Sequence, residues 1–492
     1  MLLYLGLLNL TLMSVFHHGM ASMLTQLYAV THPRRNIFSV MVSGGGFHGL
    51  QWLFTTPGAS QCVMDGHIPY ARASMDRFLH LSDDVGPGTG MSYSSPEATS
   101  LMAAEARNRA AQTLLAETSD LTMLKECNIF GIACSAALVS TQPKKSPHRC
   151  HVAIAHEKMT CVYSLTLEKG LRDREGEDAL CSRLMMDAIR HASTEHSNDS
   201  NGEDVLKGDF AFAMEAMSAT EQVELTNRDR AASSTNDVLD RICCRQSGHA
   251  VFVAAKHGPV GQFSFLENVQ LPRNTLVFPG SFNPLHSGHV ELVVAALKLQ
   301  GAAPKGVPHC PVVFEIAAVN VDKPPLPTAE LMARIEAVLS SPLLQAAGVV
   351  NFAVCITSEP LFLQKSRIFK DCTFVIGADT MSRLINAKYY QTHPETASTA
   401  GLSEQHSTLA SHSMVAALAT IAERGCRFIV GGRVPQDSSD ATSPAFETLD
   451  RILRSSTCPL PPAILSIFAG IDEAHFRSDI SSSALRRQVK KD

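Results

Sequence analysis

The stretch from Leu276 to Leu292, LVFPGSFNPLHSGHVEL, constrains the fold of this chain more than any other. The apolar run Leu276–Phe278 is typical of a buried strand, the next residues form a turn that contains Gly280, and apolar residues at helical spacing begin at Val290. This order predicts a strand, a turn and a helix. Because the first N–H groups of a helix lack partners within the helix and carry its positive dipole end, the turn suits a phosphate.

Two histidines, His286 and His289, stand at the predicted start of that helix. Imidazole donates a hydrogen bond to a phosphoryl oxygen, and Gly288 between them leaves room for a ligand to approach the backbone. A His-x-x-His pair taken alone is also compatible with a satisfied surface pair or with half of a metal site. The glycine-to-proline turn beside this pair favours the phosphate interpretation.

With this turn included, the segment GSFNPLHSGH resembles the (H/T)xGH box of the nucleotidyltransferase superfamily, which includes cytidylyltransferases, pantetheine-phosphate adenylyltransferases and nicotinamide mononucleotide adenylyltransferases. The superfamily's second box, ISSSxxR, is matched by ISSSALR at 480–486. Serines before an apolar-periodic run also serve as ordinary helix caps, but two boxes in this order, about two hundred residues apart, fit a single domain. The resemblance implies a Rossmann-like domain that transfers a nucleotidyl group.

The resemblance also implies a role for each matched residue. His286 and His289 would donate hydrogen bonds to the α- and β-phosphate oxygens of a nucleoside triphosphate, and Arg486 would carry the charge of the leaving pyrophosphate. We predict these three residues as catalytic. Mg²⁺ is the expected cofactor, held mostly by the triphosphate and water, so no protein metal site is predicted. The predicted phosphate-binding residues are Gly280, Ser281, Phe282, Asn283, Ser481, Ser482 and Ser483.

The acceptor is indicated by two further stretches. The segment GADT, which follows an apolar run, resembles the GxDT box of nicotinamide mononucleotide adenylyltransferases, and the segment NVDKP at 320–324 resembles a lysine loop of the same group. The tryptophan usual after that box is absent, because the only tryptophan of the chain is Trp52. An ordinary surface role for the lysine also stays open. The predicted acceptor-binding residues are Lys323, Gly377, Asp379 and Thr380.

These residues predict transfer of AMP from ATP to a small phosphorylated acceptor, nicotinamide or nicotinic acid mononucleotide, with release of pyrophosphate. A cytidylyltransferase that uses CTP, a pantetheine-phosphate-type adenylyltransferase and a non-catalytic nucleotide-binding scaffold stay open as alternatives. The strand pattern that ends in Gly431-Gly432-Arg433 is compatible with a nucleotide-side loop and with an ordinary strand end.

A second glycine turn, Ser43-Gly44-Gly45-Gly46, follows the strand pattern Ile37–Val42 and precedes apolar residues at helical spacing. It could bind another phosphate or be a tight turn without a ligand. The stretch Phe38–Ala192 around it resembles the C-terminal domain of the competence-damage-inducible protein family, whose enzymatic members are nicotinamide mononucleotide deamidases. The resemblance rests on PGAS at 57–60, Tyr70, SPE at 95–97 and GIA at 131–133.

This chain departs from the deamidases where their chemistry lies. The glutamate and the catalytic serine of their ESCTGG turn correspond to Met41 and Val42, and the lysine expected after Tyr70 is Met75. Ser43 could serve as a nucleophile, but no base is evident beside it in the sequence. We therefore expect a scaffold that binds a nucleotide, supports a homo-oligomer or packs on its neighbour.

Composition excludes some partners. The chain has 492 residues, 45% of them hydrophobic and 18% charged, as in ordinary globular proteins, and a net charge of −5 gives no basic surface for nucleic acid. Thirteen cysteines without a CxxC pair favour a reducing compartment, so we expect a cytoplasmic protein. Within residues 1–22 the first sixteen are apolar, which is short for a membrane span, and they lack a basic start. A membrane is therefore not an expected partner, although targeting or anchoring stays open.

The fold class predicted is α/β, with two three-layer domains. We expect the deamidase-like domain at 23–192, a linker and bridging segment at 193–270, and the transferase domain at 271–492. In the last of these, apolar strand patterns alternate with helical ones, which implies a parallel sheet with active-site loops at the carboxyl ends of its strands. Lys207–Arg245 is weakly helical in pattern, and Gln391–Ser413 is expected to be a surface insertion.

Overall fold

The computed structural model of the chain forms two compact units, one of residues 1–114 and 126–234, the other of 115–125 and 235–492. The domain boundaries at residues 22, 192 and 270 remain predictions. The residues that the structure describes are 19–28, 35–80, 92–142, 145–156, 159–194, 210–229, 235–254, 263–301, 310–319, 324–390, 403–433, 446–455 and 460–477.

The first unit is built on a six-stranded mixed sheet of order β2-β1-β3-β4-β5-β6. Strands β2, β1 and β3 are parallel, and β4 to β6 continue the sheet in antiparallel fashion. The strands are β1 Asn36–Ser43, β2 Val63–His67, β3 Asn128–Ala137, β4 His148–Ala155, β5 Met159–Leu167 and β6 Val223–Asp229. The helices of this part of the chain are α1 at 19–28, α2 Phe47–Thr55, α3 Arg72–Phe78, α4 Pro96–Thr118, α5 Met123–Glu126, α6 Arg174–Thr194 and α7 Ala211–Met214. The end of α4 and most of α5 lie within residues 115–125, which belong to the second unit.

Helices cover both faces of this sheet. Successive side chains of a strand point to opposite faces, so the apolar residues of β1 pack against helices on each side. On β1, Val40 and Val42 pack in one cluster with Leu184 of α6, whereas Met41 packs in another with Met102 of α4. The first unit is therefore a three-layer α/β structure, as the sequence predicted.

The second unit is built on an eight-stranded mixed sheet of order β14-β13-β12-β9-β10-β11-β7-β8. Its strands are β7 His249–Ala254, β8 Phe263–Glu267, β9 Leu276–Pro279, β10 Val312–Ala317, β11 Phe352–Thr357, β12 Thr373–Gly377, β13 Arg427–Gly431 and β14 Phe468–Ile471. Its helices are α8 Thr235–Cys243, α9 Ser287–Leu299, α10 Thr328–Leu339, α11 Pro342–Ala346, α12 Phe362–Ile368, α13 Ala378–Leu384, α14 Ser403–Glu423, α15 Leu449–Ser455 and α16 Pro462–Leu465.

The six strands from β14 to β11 are parallel, and β7 and β8 extend the sheet in antiparallel fashion. The chain runs from β9 to β10 and β11 in one direction and then returns to place β12 on the other side of β9. The strand order therefore reverses between β9 and β12. In open α/β sheets, ligands bind in the crevice at the carboxyl ends of the strands at such a switch point.

Both faces of the second sheet are also covered. Phe278 and Phe314 pack in a cluster with Val293 of α9 and Ile335 of α10. On the other face, the ring of Phe362 in α12 packs edge-on against Phe374 of β12 and against Phe428 of β13. This unit is a Rossmann-like, mostly parallel sheet with an antiparallel hairpin added at one edge.

The structure bears on two of the segments between the motifs. Lys207–Arg245, predicted as weakly helical, contains helices α7 and α8 and in addition strand β6 at Val223–Asp229, which pairs with β5. Of Gln391–Ser413, predicted as a surface insertion, residues 391–402 lie outside the described residues, and the rest forms the first part of helix α14, which begins at Ser403. No helix within the described ranges has the length and apolar character needed to cross a membrane.

Candidate active site

The turn after β9 is held by its own backbone and by one buried ring. The N–H of Gly280 donates to the carbonyl oxygen of Glu315 on β10 at 2.9 Å. The Phe282 side chain is only 1% exposed and packs edge-on against the rings of Phe278, Phe314 and His289. Phe282, predicted to bind phosphate, is thus a core residue through its side chain, and only its backbone is available to a ligand.

The other two predicted residues of this turn contact helix α10. The carbonyl oxygen of Ser281 accepts a hydrogen bond from Nη1 of Arg334 at 3.0 Å. The side-chain amide of Asn283 donates to Oε1 of Glu330 at 3.4 Å. Ser281 is otherwise exposed, so its hydroxyl and backbone are accessible from the solvent side.

The two histidines stand at the N-terminus of α9, in direct contact with each other. Their rings are stacked, with centroids 3.7 Å apart and an interplanar angle of 25°. The backbone N–H of His286 donates to Nδ1 of His289 at 3.3 Å. Because that nitrogen accepts a hydrogen bond, the proton of the neutral His289 ring lies on Nε2, which is left as a donor.

Burial keeps both imidazoles uncharged at neutral pH. It lowers the pKa of His289 to about 3, with the neighbouring His286 lowering it further, and it lowers the pKa of His286 as well. Nδ1 of His286 is buried and has no hydrogen-bond partner within the part of the chain that the structure describes. A buried polar atom of this kind calls for a partner that a bound ligand could supply.

A cleft of about 260 Å³ opens beside these histidines, where β9, β12 and β13 end. It is the crevice expected at the switch point of the sheet. The cleft brings the two predicted catalytic histidines together with three of the four predicted acceptor-binding residues. Its lining residues are Phe278, Pro279, His286, Gly288, His289, Leu292, Gly377, Ala378, Asp379, Thr380, Gly431, Gly432, Arg433 and Phe476.

Two features of the lining bear on ligand binding. Nη1 of Arg433 donates to Oδ2 of Asp379, so a cation and an anion meet across the ends of β12 and β13. At Gly377 an added Cβ would meet no heavy atom of the described structure within 4 Å, and its φ of −86° suits any residue. The missing side chain at Gly377 thus leaves space in the cleft and serves no packing need of the protein.

Several predicted residues cannot be placed. Ser481, Ser482, Ser483, Arg486 and Lys323 lie outside the described residues. Conversely, Arg433 and Phe476 line the cleft but were not among the predicted site residues. For Arg433 the strand followed by two glycines was a signal, which the sequence left open, whereas Phe476 carried none.

The glycine turn of the first unit already holds an anion, the carboxylate of Asp178 from α6. This carboxylate accepts hydrogen bonds from the backbone N–H groups of Phe47 at 3.2 Å and His48 at 3.1 Å, and it lies 2.7 Å from Nδ1 of His48. Ser43 donates its hydroxyl to the carbonyl oxygen of Pro69. The N-terminus of α2 is therefore satisfied from within the protein.

The described residues contain no group of three or more His, Cys, Asp or Glu side chains arranged to hold a metal ion. Asp379 is a carboxylate that lines the cleft, and it already contacts Arg433. A divalent cation in this cleft would accordingly depend on phosphate oxygens and water for most of its ligands.

Two solved structures of the competence-damaged protein (CinA) superfamily and one of a competence/damage inducible protein are similar to this chain at a low level. The Escherichia coli protein is 12% identical, with 36% of this chain and 86% of that chain covered and a TM-score of 0.25. The Klebsiella pneumoniae protein is 11% identical, with coverage of 36% and 98% and a TM-score of 0.25. The competence/damage inducible protein of Agrobacterium tumefaciens is 16% identical, with coverage of 35% and 91% and a TM-score of 0.26. Likenesses at this level assign no activity to the first unit.

The comparison with curated proteins gave no match. The comparison with protein families matched residues 277–488 to the family described as cytidylyltransferase-like. That range begins in β9 and includes the histidine pair, the GADT segment and the strand end at Arg433. Residues 277–488 are therefore a cytidylyltransferase-like nucleotidyltransferase domain.

Proposed function

We propose that this domain transfers AMP from ATP to nicotinamide mononucleotide or nicotinic acid mononucleotide and releases pyrophosphate. The observation that carries the proposal is the cleft at the switch point, where His286 and His289 face Gly377, Asp379 and Thr380. One side of the cleft thus offers hydrogen-bond donors for a phosphate. The other side carries the GADT segment, which resembles the box that binds the acceptor in the pyridine mononucleotide enzymes.

In this reaction the protein forms no covalent bond with the substrates. An oxygen of the acceptor phosphate attacks the α-phosphorus of ATP, and the bond from that phosphorus to the α,β-bridging oxygen breaks, so that pyrophosphate leaves with both electrons. The attacking oxygen is already anionic at neutral pH, so no strong general base is required. The rate then comes from holding the two phosphates in line and from hydrogen bonds to the charge that develops.

The two histidines suit this task because they are neutral. Nε2–H of His289 can donate to a phosphate oxygen without the desolvation cost of a buried cation. The hydroxyl of Ser281 and the backbone N–H groups of Ser281 and Asn283 would add donors beside them, whereas the N–H of Gly280 already donates to the carbonyl oxygen of Glu315. We further propose that Ser481 to Ser483 bind the β- and γ-phosphates and that Arg486 binds the leaving pyrophosphate. Ser481 follows the cleft residue Phe476 by five positions in the sequence.

The acceptor would bind on the side of β12. Thr380 offers a hydroxyl, and Asp379 a carboxylate that accepts hydrogen bonds from a ribose or an amide. Lys323 is proposed to contact the acceptor phosphate. Mg²⁺ bound with the triphosphate would neutralise phosphate charge, and its ligands would come mainly from the substrate and water.

A cytidylyltransferase with another phosphorylated acceptor is the second candidate. Two observations favour it: the family described as cytidylyltransferase-like, and the absence of the tryptophan that the pyridine mononucleotide enzymes carry after their GxDT box. In this chain, helix α13 has the sequence ADTMSRL at this point.

The test is pyrophosphate release by the purified full chain, with ATP or CTP as the donor. The acceptors are nicotinamide mononucleotide, nicotinic acid mononucleotide and phosphopantetheine, each with Mg²⁺ and again with a chelator. We expect release with ATP and a pyridine mononucleotide, and no release when the acceptor is omitted. Pyrophosphate release with CTP and an acceptor, but not with ATP, would favour the second candidate. Binding of both nucleotides without turnover of any pair would overturn the proposal in favour of a non-catalytic scaffold.

For the first unit we propose a scaffold role, with self-association as one form of it. Asp178 occupies the helix N-terminus at its glycine turn, which removes the position where a phosphate would bind. Ammonia release from nicotinamide mononucleotide, measured beside the transferase assay, is expected to be absent. A steady ammonia release that Ser43→Ala abolishes would overturn this part of the proposal.

A further inference from the structure

We propose that Arg334 and Glu330 of helix α10 are positioning residues for the transfer reaction, because they fix the turn that presents the histidine pair. The inference rests on the proposed function, since the turn matters for catalysis only if it binds the triphosphate. Neither residue lines the cleft, and in this proposal both act through the turn and not on the substrate.

The two side chains grip the turn at two separate points. Nη1 of Arg334 donates to the carbonyl oxygen of Ser281 at 3.0 Å, and Oε1 of Glu330 accepts from the side-chain amide of Asn283 at 3.4 Å. Nη2 of Arg334 also donates to Oε1 of Glu330, one helical turn away on α10. The result is a chain of contacts from Ser281 through the guanidinium and the carboxylate to Asn283.

Because Arg334 is more buried than Glu330, we expect its contact with the turn to be less weakened by water. Its side chain is 11% exposed, whereas that of Glu330 is 40% exposed. A guanidinium held at both Nη atoms has a fixed geometry, which a lysine cannot reproduce because its ammonium is a single point charge on a flexible stem. Arg334 therefore holds the Ser281 carbonyl in one direction.

The position of the turn determines where His286 and His289, the hydrogen-bond donors for the phosphate, lie. The turn enters helix α9 at His286, and His286 in turn donates its backbone N–H to His289. A displacement of about 1 Å in reacting groups, caused by a change away from the chemistry, can cost about a hundredfold in rate. Loss of the hydrogen bond from Arg334 to the Ser281 carbonyl oxygen should thus lower the rate of transfer more than it weakens nucleotide binding.

The experiment compares Arg334→Gln and Arg334→Lys with wild type in the pyrophosphate assay. We expect kcat to fall about 10- to 100-fold in Arg334→Gln, with the nucleotide KM changed by less than about threefold. The kcat of Arg334→Lys should lie between those of wild type and Arg334→Gln, because an ammonium keeps one of the contacts. The matched control is Arg109→Gln, which breaks another arginine–glutamate pair at i,i+4 spacing, on α4 of the first unit, and should leave kcat unchanged.

Hydrogen exchange of residues 280–289 gives a readout that does not need activity. Arg334→Gln should speed exchange there while the α14 amides exchange as in wild type. If the wild-type chain releases no pyrophosphate, the proposed function fails and the positioning inference fails with it, even where faster exchange in Arg334→Gln shows that the arginine holds the turn. If the wild type is active and the variant changes neither kcat nor this exchange, the positioning inference is overturned.

A second variant covers the case in which Arg334→Gln does not fold. Glu330→Gln keeps the side-chain volume and weakens both contacts of the carboxylate. A double-mutant cycle with Asn283→Ala then tests the shared route, because two changes that loosen the same turn should lower kcat by less than the product of their separate effects. A fully multiplicative loss would overturn the inference.

Discussion

The backbone N–H of His286 donates a hydrogen bond to Nδ1 of His289, so the first histidine of the pair fixes the tautomer of the second. Nε2 of His289 is thereby left as a neutral N–H donor that this hydrogen bond does not use. Preorganised donors of this kind are effective because they need no rearrangement when charge develops on the substrate.

The first prediction is that His289→Ala loses most of the transferase activity. Loss of one preorganised donor typically lowers turnover about a hundred- to a thousandfold, and we expect a loss of that size in pyrophosphate release. The exposed His412 on α14 provides the matched control, because His412→Ala removes an imidazole that does not line the cleft. Unchanged turnover in His289→Ala would contradict the assigned role.

The second prediction concerns pH and stability. The pKa of His289 is about 3 in the folded protein, against an ordinary value near 6.5, because burial disfavours its charged form. Between these two values the unfolded chain binds a proton that the folded chain does not, so stability falls as pH falls through this window. The slope is at most about 1.4 kcal/mol per pH unit from this residue.

Hydrogen exchange of the slowest α9 amides at pH 7, 6 and 5, corrected for intrinsic exchange rates, measures this slope. His289→Gln should reduce it, because the titrating group is gone, and above pH 7 the group contributes no slope in either protein. An equal slope in the two proteins would show that other groups carry the pH dependence.

The predictable part of the site lies where a strand passes directly into a loop of recognisable sequence. The histidine pair follows β9 and the GADT segment follows β12, so each could be read locally, and the parallel order of the strands brings their ends together. Arg433 and Phe476 enter the cleft only because β13 lies beside β12 and β14 beside β13. That order is a property of the whole sheet, which no local pattern carries.

The third prediction contrasts two glycines. Gly377 has open space where a Cβ would be, whereas a Cβ at Gly280 would lie 2.6 Å from Cζ of Phe282. Gly377→Val should therefore raise the KM for substrates by about tenfold or more, the equivalent of about 1.4 kcal/mol, with little change in melting temperature. Gly280→Ala should cost about 1–3 kcal/mol of stability, because the buried ring must move. A stability loss in Gly377→Val equal to that in Gly280→Ala would remove the argument for a ligand at Gly377.

The fourth prediction concerns the buried ion pair beneath the turn. Nζ of Lys365 lies 2.6 Å from Oε2 of Glu315, both side chains are at most 7% exposed, and Thr357 donates its hydroxyl to the same carboxylate. Lys365→Met leaves a buried carboxylate without its cation, which costs about 3–5 kcal/mol. Urea unfolding of the second unit measures the loss. The double variant Glu315→Gln with Lys365→Met should recover part of it, and a double variant as unstable as Lys365→Met would contradict the pairing.

The first unit shows why its glycine turn could not be interpreted from the sequence. The turn is followed by a helix, and this pattern predicts an anion site, which is what the structure contains. The anion is Asp178, a residue about 130 positions farther along the chain, and no local pattern assigns it to this turn. His48 contacts the same distant carboxylate, so no local pattern indicates that this imidazole has a carboxylate partner.

The fifth prediction follows from that carboxylate. Asp178→Asn keeps the size of the side chain but removes the charge that faces the N-terminus of α2 and His48. Its amide can accept from one of the two backbone N–H groups and turns donors toward the other, so we expect a loss of about 1–3 kcal/mol in the stability of the first unit. Fluorescence of Trp52, which lies on α2, reports the unfolding of this unit directly. Added phosphate or pyrophosphate should raise the stability of Asp178→Ala, in which the helix N-terminus is vacated, and should leave wild type unchanged. Equal stabilisation of the two proteins would show that the anion binds elsewhere and that Asp178 does not block this turn.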